Sequence, residues 1–270
     1  MADTHPPGWT EEIKDLTPEA QELFENYSKI SSDEIKPHIK KIRDEAFKIH
    51  PYPCLATFAF LELMDTQSPI YNEVLNRLKN GAKYLDIGCC VGQDIRKLVY
   101  DGAPSENTYG SDLEKGFLDM GYDLFLDRET LRTTFIAADV FDSESELSKL
   151  EGKIHIIHAA LFLHLFTEEQ CFQAVKRMVK LFEDEKNVLF IGKQLGRVEA
   201  GPISEHRYRH NDESFANLWK QIGDETGMKW EVDAKLEDED LYEMAAKMGM
   251  KANFLPEGTR YLTFSVRRVA

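Results

Sequence analysis

The stretch YLDIGCCVGQ, Tyr84 to Gln93, decides how the chain is read. Tyr84 to Ile87 is a short apolar strand that carries an acid, Asp86. Gly88 and Gly92 then allow a turn, because glycine takes positive φ at little cost and lets a ligand approach the backbone. A helical pattern follows, with Ile95, Leu98 and Val99 on one face. Backbone N–H groups at such a helix start attract an anionic group. A dinucleotide fingerprint would need glycine at the third and sixth positions from Gly88. Those positions are Cys90 and Gln93, so the match fails. Cys90 is small enough to keep the turn, and the expectation is a loop that avoids a strained φ there.

From Lys83 onward strand and helix patterns alternate. Strands are expected at Tyr84–Ile87, Thr108–Ser111, Thr133–Ala138, Ile154–Leu161 and Asn187–Gly192. They are short or near-continuously apolar, as parallel strands covered on both faces tend to be. Two later segments, Met228 to Leu236 and Leu262 to Val266, alternate with period two, which suggests an antiparallel pair at the sheet edge. Residues 1–80 read as a separate helical cap before a domain of residues 81–270. Thr17-Pro18 gives a helix start, and Ser31 with Glu34 has capping-box spacing. Ile39, Ile42, Ala46 and Ile49 line one helix face.

The chain of 270 residues carries a formal net charge of −15. An acidic surface repels phosphate backbones and anionic lipid, so neither nucleic acid nor a membrane is an expected partner. No apolar run reaches the ~20 residues of a membrane helix, and the first residues carry no signal-peptide core. Cys54, Cys89, Cys90 and Cys171 show no zinc spacing, so no metal site is expected. They read as reduced thiols of a cytoplasmic protein.

Asp112 closes the second strand, 20 residues past Gly92, where Rossmann-like sheets place an acid that binds ribose hydroxyls. Asp139 follows the third strand and is suited to accept from an adenine amino group, with Val140 packing the ring; the alternative is a turn cap. His158 reads as a core histidine. His164, past the fourth strand, is the candidate base. The basic segment after the fifth strand, with Arg197 and Arg209, reads either as a solvated loop or as a lid for an acidic substrate. Tyr52, in the PYPC turn, and Phe58 are candidate walls of a substrate site.

Taken together, ENYSKI, PYPC, YLDIGCCVGQDIRKL, FLDMGYDLF, AADVFD and IHAALFLHLF resemble the fungal methyltransferases of secondary-metabolite clusters that use S-adenosylmethionine (SAM), including those acting on meroterpenoids and polyketides. The resemblance covers most of the chain. It implies a Rossmann-like class I α/β fold with a seven-stranded, mostly parallel sheet, an antiparallel edge pair and an N-terminal helical cap. It implies SAM as cofactor and a carboxyl, enol or phenol oxygen of a small molecule as acceptor. Motif I then falls on Asp86, Gly88, Cys90 and Gly92, the ribose acid on Asp112 and the adenine-side residues on Asp139 and Val140. Tyr27, in the ENYS element, would close over SAM. A C-methyltransferase and a SAM-binding regulator without turnover are the competing readings, and a homodimer is left open.

Overall fold

The computed structural model describes residues 9–13, 15–64, 66, 68–247 and 255–270. Residues 1–8, read above as lacking a signal core, lie outside them. The strands are β1 (Tyr84–Ile87), β2 (Thr108–Asp112), β3 (Thr134–Ala137), β4 (Ile156–His158), β5 (Leu189–Arg197), β6 (Gly201–Ser204), β7 (Arg207–Arg209), β8 (Trp230–Leu236) and β9 (Thr259–Arg268). Seven of them form one sheet in the order β3-β2-β1-β4-β5-β9-β8, and β6 and β7 form a separate hairpin. The pairs β2–β3, β1–β4 and β4–β5 are parallel, and β9 runs antiparallel to both β5 and β8. This is the seven-stranded, mostly parallel sheet with an antiparallel edge that the resemblance implies. No helix among the described residues is long and apolar enough to cross a membrane.

The chain divides into two compact units. The first joins Met1–Gly81 to Cys89–Ala137. Its helices are α1 (Pro18–Glu22), α2 (Ser32–Ile49), α3 (Pro53–Ala56), α4 (Pro69–Lys79), α5 (Gln93–Tyr100) and α6 (Lys115–Phe125). Thr17 caps α1 by accepting from the Ala20 N–H, as the sequence implies. Ser31 makes no such side-chain bond at α2. Ile35, Ile39, Ile42 and Ala46 of α2 are buried together with Leu23, Phe24, Leu55, Val91, Phe117, Leu124 and Phe125. The N-terminal helices, the motif I loop at Val91 and α6 therefore close over one hydrophobic core, which removes the apolar stripe of α2 from water. Ile49, at the end of that stripe, packs on α6 at Gly116, where an added Cβ would lie 2.6 Å from its Cδ1.

The second unit joins Ala82–Gly88 to Ala138–Ala270. It holds β1, β4 to β9 and the helices α7 (Glu168–Val179), α8 (Asp212–Thr226) and α9 (Leu241–Lys247). Thr167 and Gln170 make a reciprocal capping box at α7. Phe215, Leu218, Trp219 and Ile222 are the buried stripe of α8, which ends at Gly227 with φ 73°. Phe190 of β5 packs its ring 5.1 Å from Trp219 and 5.5 Å from Phe264 of β9. The segment read from sequence as a loop after the fifth strand contains the β6–β7 hairpin, and β5 runs on to Arg197 beside β9.

Candidate active site

In the first unit, the loop from Cys89 to Gly92 leads from the strand into α5. Cys89 N–H donates to the Ser111 carbonyl of β2 at 3.0 Å, and Gly92 N–H to the Cys89 carbonyl at 2.7 Å. Cys90 takes φ 50°, so the expectation of an unstrained loop is overturned. A left-handed non-glycine residue costs roughly 1–2 kcal/mol. The Cys90 N–H bond to Asp112 Oδ2, at 2.9 Å, offsets that cost and fixes the turn. Asp112 Oδ1 accepts from the Glu114 N–H at 3.0 Å.

Tyr52 is half-buried, with its ring 5.9 Å from Phe117. Burial raises the pKa of its phenol, and the charges of Asp112, Glu114, Cys54 and Cys90 raise it further. The sequence-predicted Tyr52, Cys90 and Asp112 thus come together around one end of β2. Burial also raises the Cys54 thiol to about 11. Phe58 is buried, with the Arg43 guanidinium 4.1 Å from its ring centroid. It belongs to the hydrophobic core. Tyr27 is half-buried and donates its hydroxyl to Asp127 Oδ2 at 2.6 Å.

In the second unit, Asp86 is buried and its Oδ1 lies 3.0 Å from His158 Nδ1 of β4. His158 is the satisfied core histidine that the strand pattern implies. Gly88 takes φ 72°, and a Cβ there would lie 2.6 Å from Phe162 Cδ2. Phe162, Phe166 and Phe141 form a chain of edge-to-face rings, each 5.1 Å from the next. Asp139 is exposed and its Oδ1 accepts from the Phe141 N–H at 2.9 Å, the turn-cap role open to it. Val140 beside it is buried.

His164 follows β4 in a single 3₁₀ turn, Leu163–Leu165. Its residue keeps some exposure, but Nδ1 is enclosed and has no hydrogen-bond partner. Burial pushes its pKa down to about 3, and the charges of Arg209 and Arg207 act in the same direction. Arg209 is 1 % exposed and donates from Nη1 to the His164 carbonyl at 2.5 Å. No carboxylate pairs with it among the described residues, and its Nε has no partner. Burial lowers its pKa to about 10, so it stays cationic at neutral pH. The hairpin thus brings a buried cation to the carboxyl end of β4, where open α/β sheets bind ligands. Arg197, at the end of β5, donates from Nε to the Glu257 carbonyl at 3.2 Å and is not drawn into this pair.

The sequence reading passed over Arg96 and Asp127, both buried. Arg96 lies four residues past Gly92 in a helix otherwise marked by its apolar face, and nothing in the pattern separates it from a solvated charge. Among the described residues, His155, Glu183 and Glu185 bring potential ligand atoms within 4.8 Å of one another, but the two glutamates are exposed.

A family model of the meroterpenoid methyltransferase N-terminal domain matches residues 9–61. The chain is 45 % identical over 260 residues to O-methyltransferase phiE of a fungal species, covering 91 % of this chain and 87 % of that protein. It is 38 % identical over 263 residues to O-methyltransferase atr3 of Stereocaulon alpinum, covering 94 % and 74 %. It is 43 % identical over 220 residues to the Asnovolin E/Chermesin D methyltransferase nvfJ of Aspergillus novofumigatus, covering 79 % of each. Among solved structures, the CurJ carbon methyltransferase superposes with a TM-score of 0.53 at 16 % identity, over 95 % of this chain and 72 % of that one. Haemonchus contortus phosphoethanolamine N-methyltransferase 2 bound to S-adenosyl-L-methionine does so with a TM-score of 0.51 at 12 % identity, over 93 % and 60 %. These two share the fold. With a class I sheet and relatives this similar over nearly its whole length, the chain belongs to the fungal secondary-metabolite methyltransferase family and is a SAM-dependent O-methyltransferase.

Proposed function

We propose that the protein methylates a carboxylate oxygen of a small acidic metabolite, giving a methyl ester. The buried Arg209, cationic and without a carboxylate partner among the described residues, carries this reading. A buried charge left unpaired is costly, and an acidic acceptor supplies the missing partner. SAM, when bound, supplies a methyl group activated on a sulfonium. The acceptor oxygen forms the new bond to carbon as the carbon–sulfur bond breaks, and S-adenosylhomocysteine leaves. An ionised carboxylate has no proton to lose, so no base is required. That agrees with His164, whose enclosed imidazole resists protonation and is poorly suited to take a proton from a phenol.

On this reading Asp112 binds the ribose hydroxyls, and the backbone of Gly88, Cys90 and Gly92, set by Asp86 and its strand, holds the cofactor's amino-acid end. Asp139 and Val140 flank the adenine. The helical segment before Gly81 acts as the cap. The thiol state of Cys54, Cys89, Cys90 and Cys171 suits a reducing cytoplasm.

The test is a screen of aromatic and terpenoid acids with labelled SAM. A product that alkali cleaves to the parent acid and methanol supports the proposal. An alkali-stable ether or carbon-methylated product overturns it. Arg209→Ala should raise the acceptor KM about tenfold or more, the loss of a charge-assisted contact, with the SAM KM little changed.

A further inference from the structure

The hydroxyl of Tyr27 is tied into a network that ends on the motif I loop. Asp127, 3 % exposed, accepts from Tyr27 at 2.6 Å and from Arg96 Nε and Nη2 at 2.7 and 3.1 Å. Arg96 is fully buried, and its guanidinium carbon lies 4.7 Å from the centroid of Phe125, 5.4 Å from that of Phe135 and 5.5 Å from that of Tyr122. Its remaining terminal nitrogen, Nη1, donates to the Val91 carbonyl at 2.6 Å and to the Gly92 carbonyl at 3.2 Å. Two glycines make room for this grip. A Cβ at Gly121 of α6 would lie 2.4 Å from the Val91 oxygen, and one at Gly92 would lie 2.9 Å from Nη1.

The geometry has a directional result. In a trans peptide a carbonyl turned one way leaves the N–H of the same unit facing the other. Arg96 holds the Gly92 carbonyl and so aims the Gln93 N–H, one of the helix-start donors of α5 that attract an anion. A fork–fork ion pair adds geometric specificity as well as energy, so Asp127 sets the angle at which Arg96 grips the loop. Tyr27 completes the shell of Asp127 from the N-terminal segment, and burial and the Asp127 charge keep its phenol protonated as a donor.

We propose that Tyr27, Asp127 and Arg96 are positioning residues that set the orientation of the SAM-binding loop, so that cofactor affinity depends on the N-terminal segment without that segment's tyrosine touching the cofactor. This rests on the reading of Gly88–Gly92 as the SAM loop.

Tyr27→Phe is the decisive variant, because it removes one hydroxyl and leaves the ion pair and the core intact. In the full chain, the S-adenosylhomocysteine Kd should rise about threefold or more, a part of the roughly tenfold that one hydrogen bond to a charged group is worth, because the hydroxyl acts on the cofactor only through the loop. The acceptor KM at saturating SAM should stay within twofold. Amide exchange in the free protein should quicken at residues 90–93 and not in β4 or β5. Tyr27→Phe combined with Asp127→Asn should bind no more weakly than Asp127→Asn alone. An unchanged Kd, or exchange that quickens evenly across the molecule, overturns the proposal. A parallel Gly88→Ala variant separates the two readings. If Gly88→Ala weakens binding and Tyr27→Phe does not, the positioning role fails alone. If neither does, the loop assignment fails.

Discussion

The Cys90 N–H donates to Asp112 Oδ2 across 2.9 Å, so the acid at the end of β2 fixes the left-handed turn of the motif I loop. On the proposed reading Asp112 is therefore expected to act twice on cofactor binding, through its contact with the ribose and through the loop. Asp112→Ala should weaken SAM by roughly tenfold or more, from lost charge-assisted bonds of about 1.5–3 kcal/mol. Asp112→Asn keeps one acceptor and should fall between the two. Calorimetry checks both, and affinity within twofold of wild type in the alanine variant would remove Asp112 from the site.

Gly88→Ala should disturb the site through Phe162. The new methyl meets the ring at 2.6 Å at a φ of 72°, so either the ring or the turn must move. SAM affinity should fall while the fold persists, because Phe162 can swing. A companion Gly88→Ala/Phe162→Ala variant should recover part of the loss if the ring clash is the cause.

Acid should destabilise the protein through two histidines. Burial pushes His164 down to about 3 and His210 down to about 4, with His164 also lowered by Arg209 and Arg207. Between those values and the ordinary 6.5, the unfolded chain binds more protons than the folded one. Stability is therefore complete above about pH 6.5 and falls as pH drops below it. Each histidine contributes a slope of up to about 1.4 kcal/mol per pH unit. His210→Gln should flatten the decline in melting temperature between pH 7 and pH 5, and an unchanged slope would assign the decline elsewhere.

Deleting residues 1–50 should cost more than turnover. The truncation removes Leu23, Phe24, Ile35, Ile39, Ile42 and Ala46 from a core shared with α6. At about 1.5–3 kcal/mol for each large buried side chain, the loss is comparable to the whole stability of an ordinary domain. The expected product is aggregated protein with a reduced melting transition. A soluble fragment with wild-type SAM affinity would contradict this.

Methyl transfer should survive EDTA. The proposed chemistry uses a sulfonium methyl and an ionised acceptor, neither of which needs a Lewis acid. Activity lost in chelator and restored by magnesium would point to a cation role that this mechanism lacks.

The strands and the turn of the site were legible because they leave local marks. Tyr84–Ile87 reads as a buried strand from four residues, and Thr167 with Gln170 announces the cap of α7. The edge pair β8–β9 shows its period-two alternation. What escaped depends on contacts distant in sequence. The Arg96–Asp127 ion pair joins residues 31 apart, and each looks like an ordinary surface charge in its own helix or turn. The β6–β7 hairpin turns at Glu205 and His206 without a glycine to mark it. The strain at Cys90 could not be read either, since the bond that offsets it comes from another strand.

The shared core of α2, Val91 and α6 also limits how such enzymes can be recombined. Residues 9–61 match a family model on their own and invite transplantation between relatives as a cassette. Their apolar side chains interlock with Phe117, Leu124 and Phe125, which that cassette leaves behind. Interiors packed to crystal-like density tolerate few mismatched shapes. A chimera intended to exchange acceptor preference should therefore carry Lys115–Phe125 along with the N-terminal helices, or the graft will be rejected by its new neighbours before specificity can be measured.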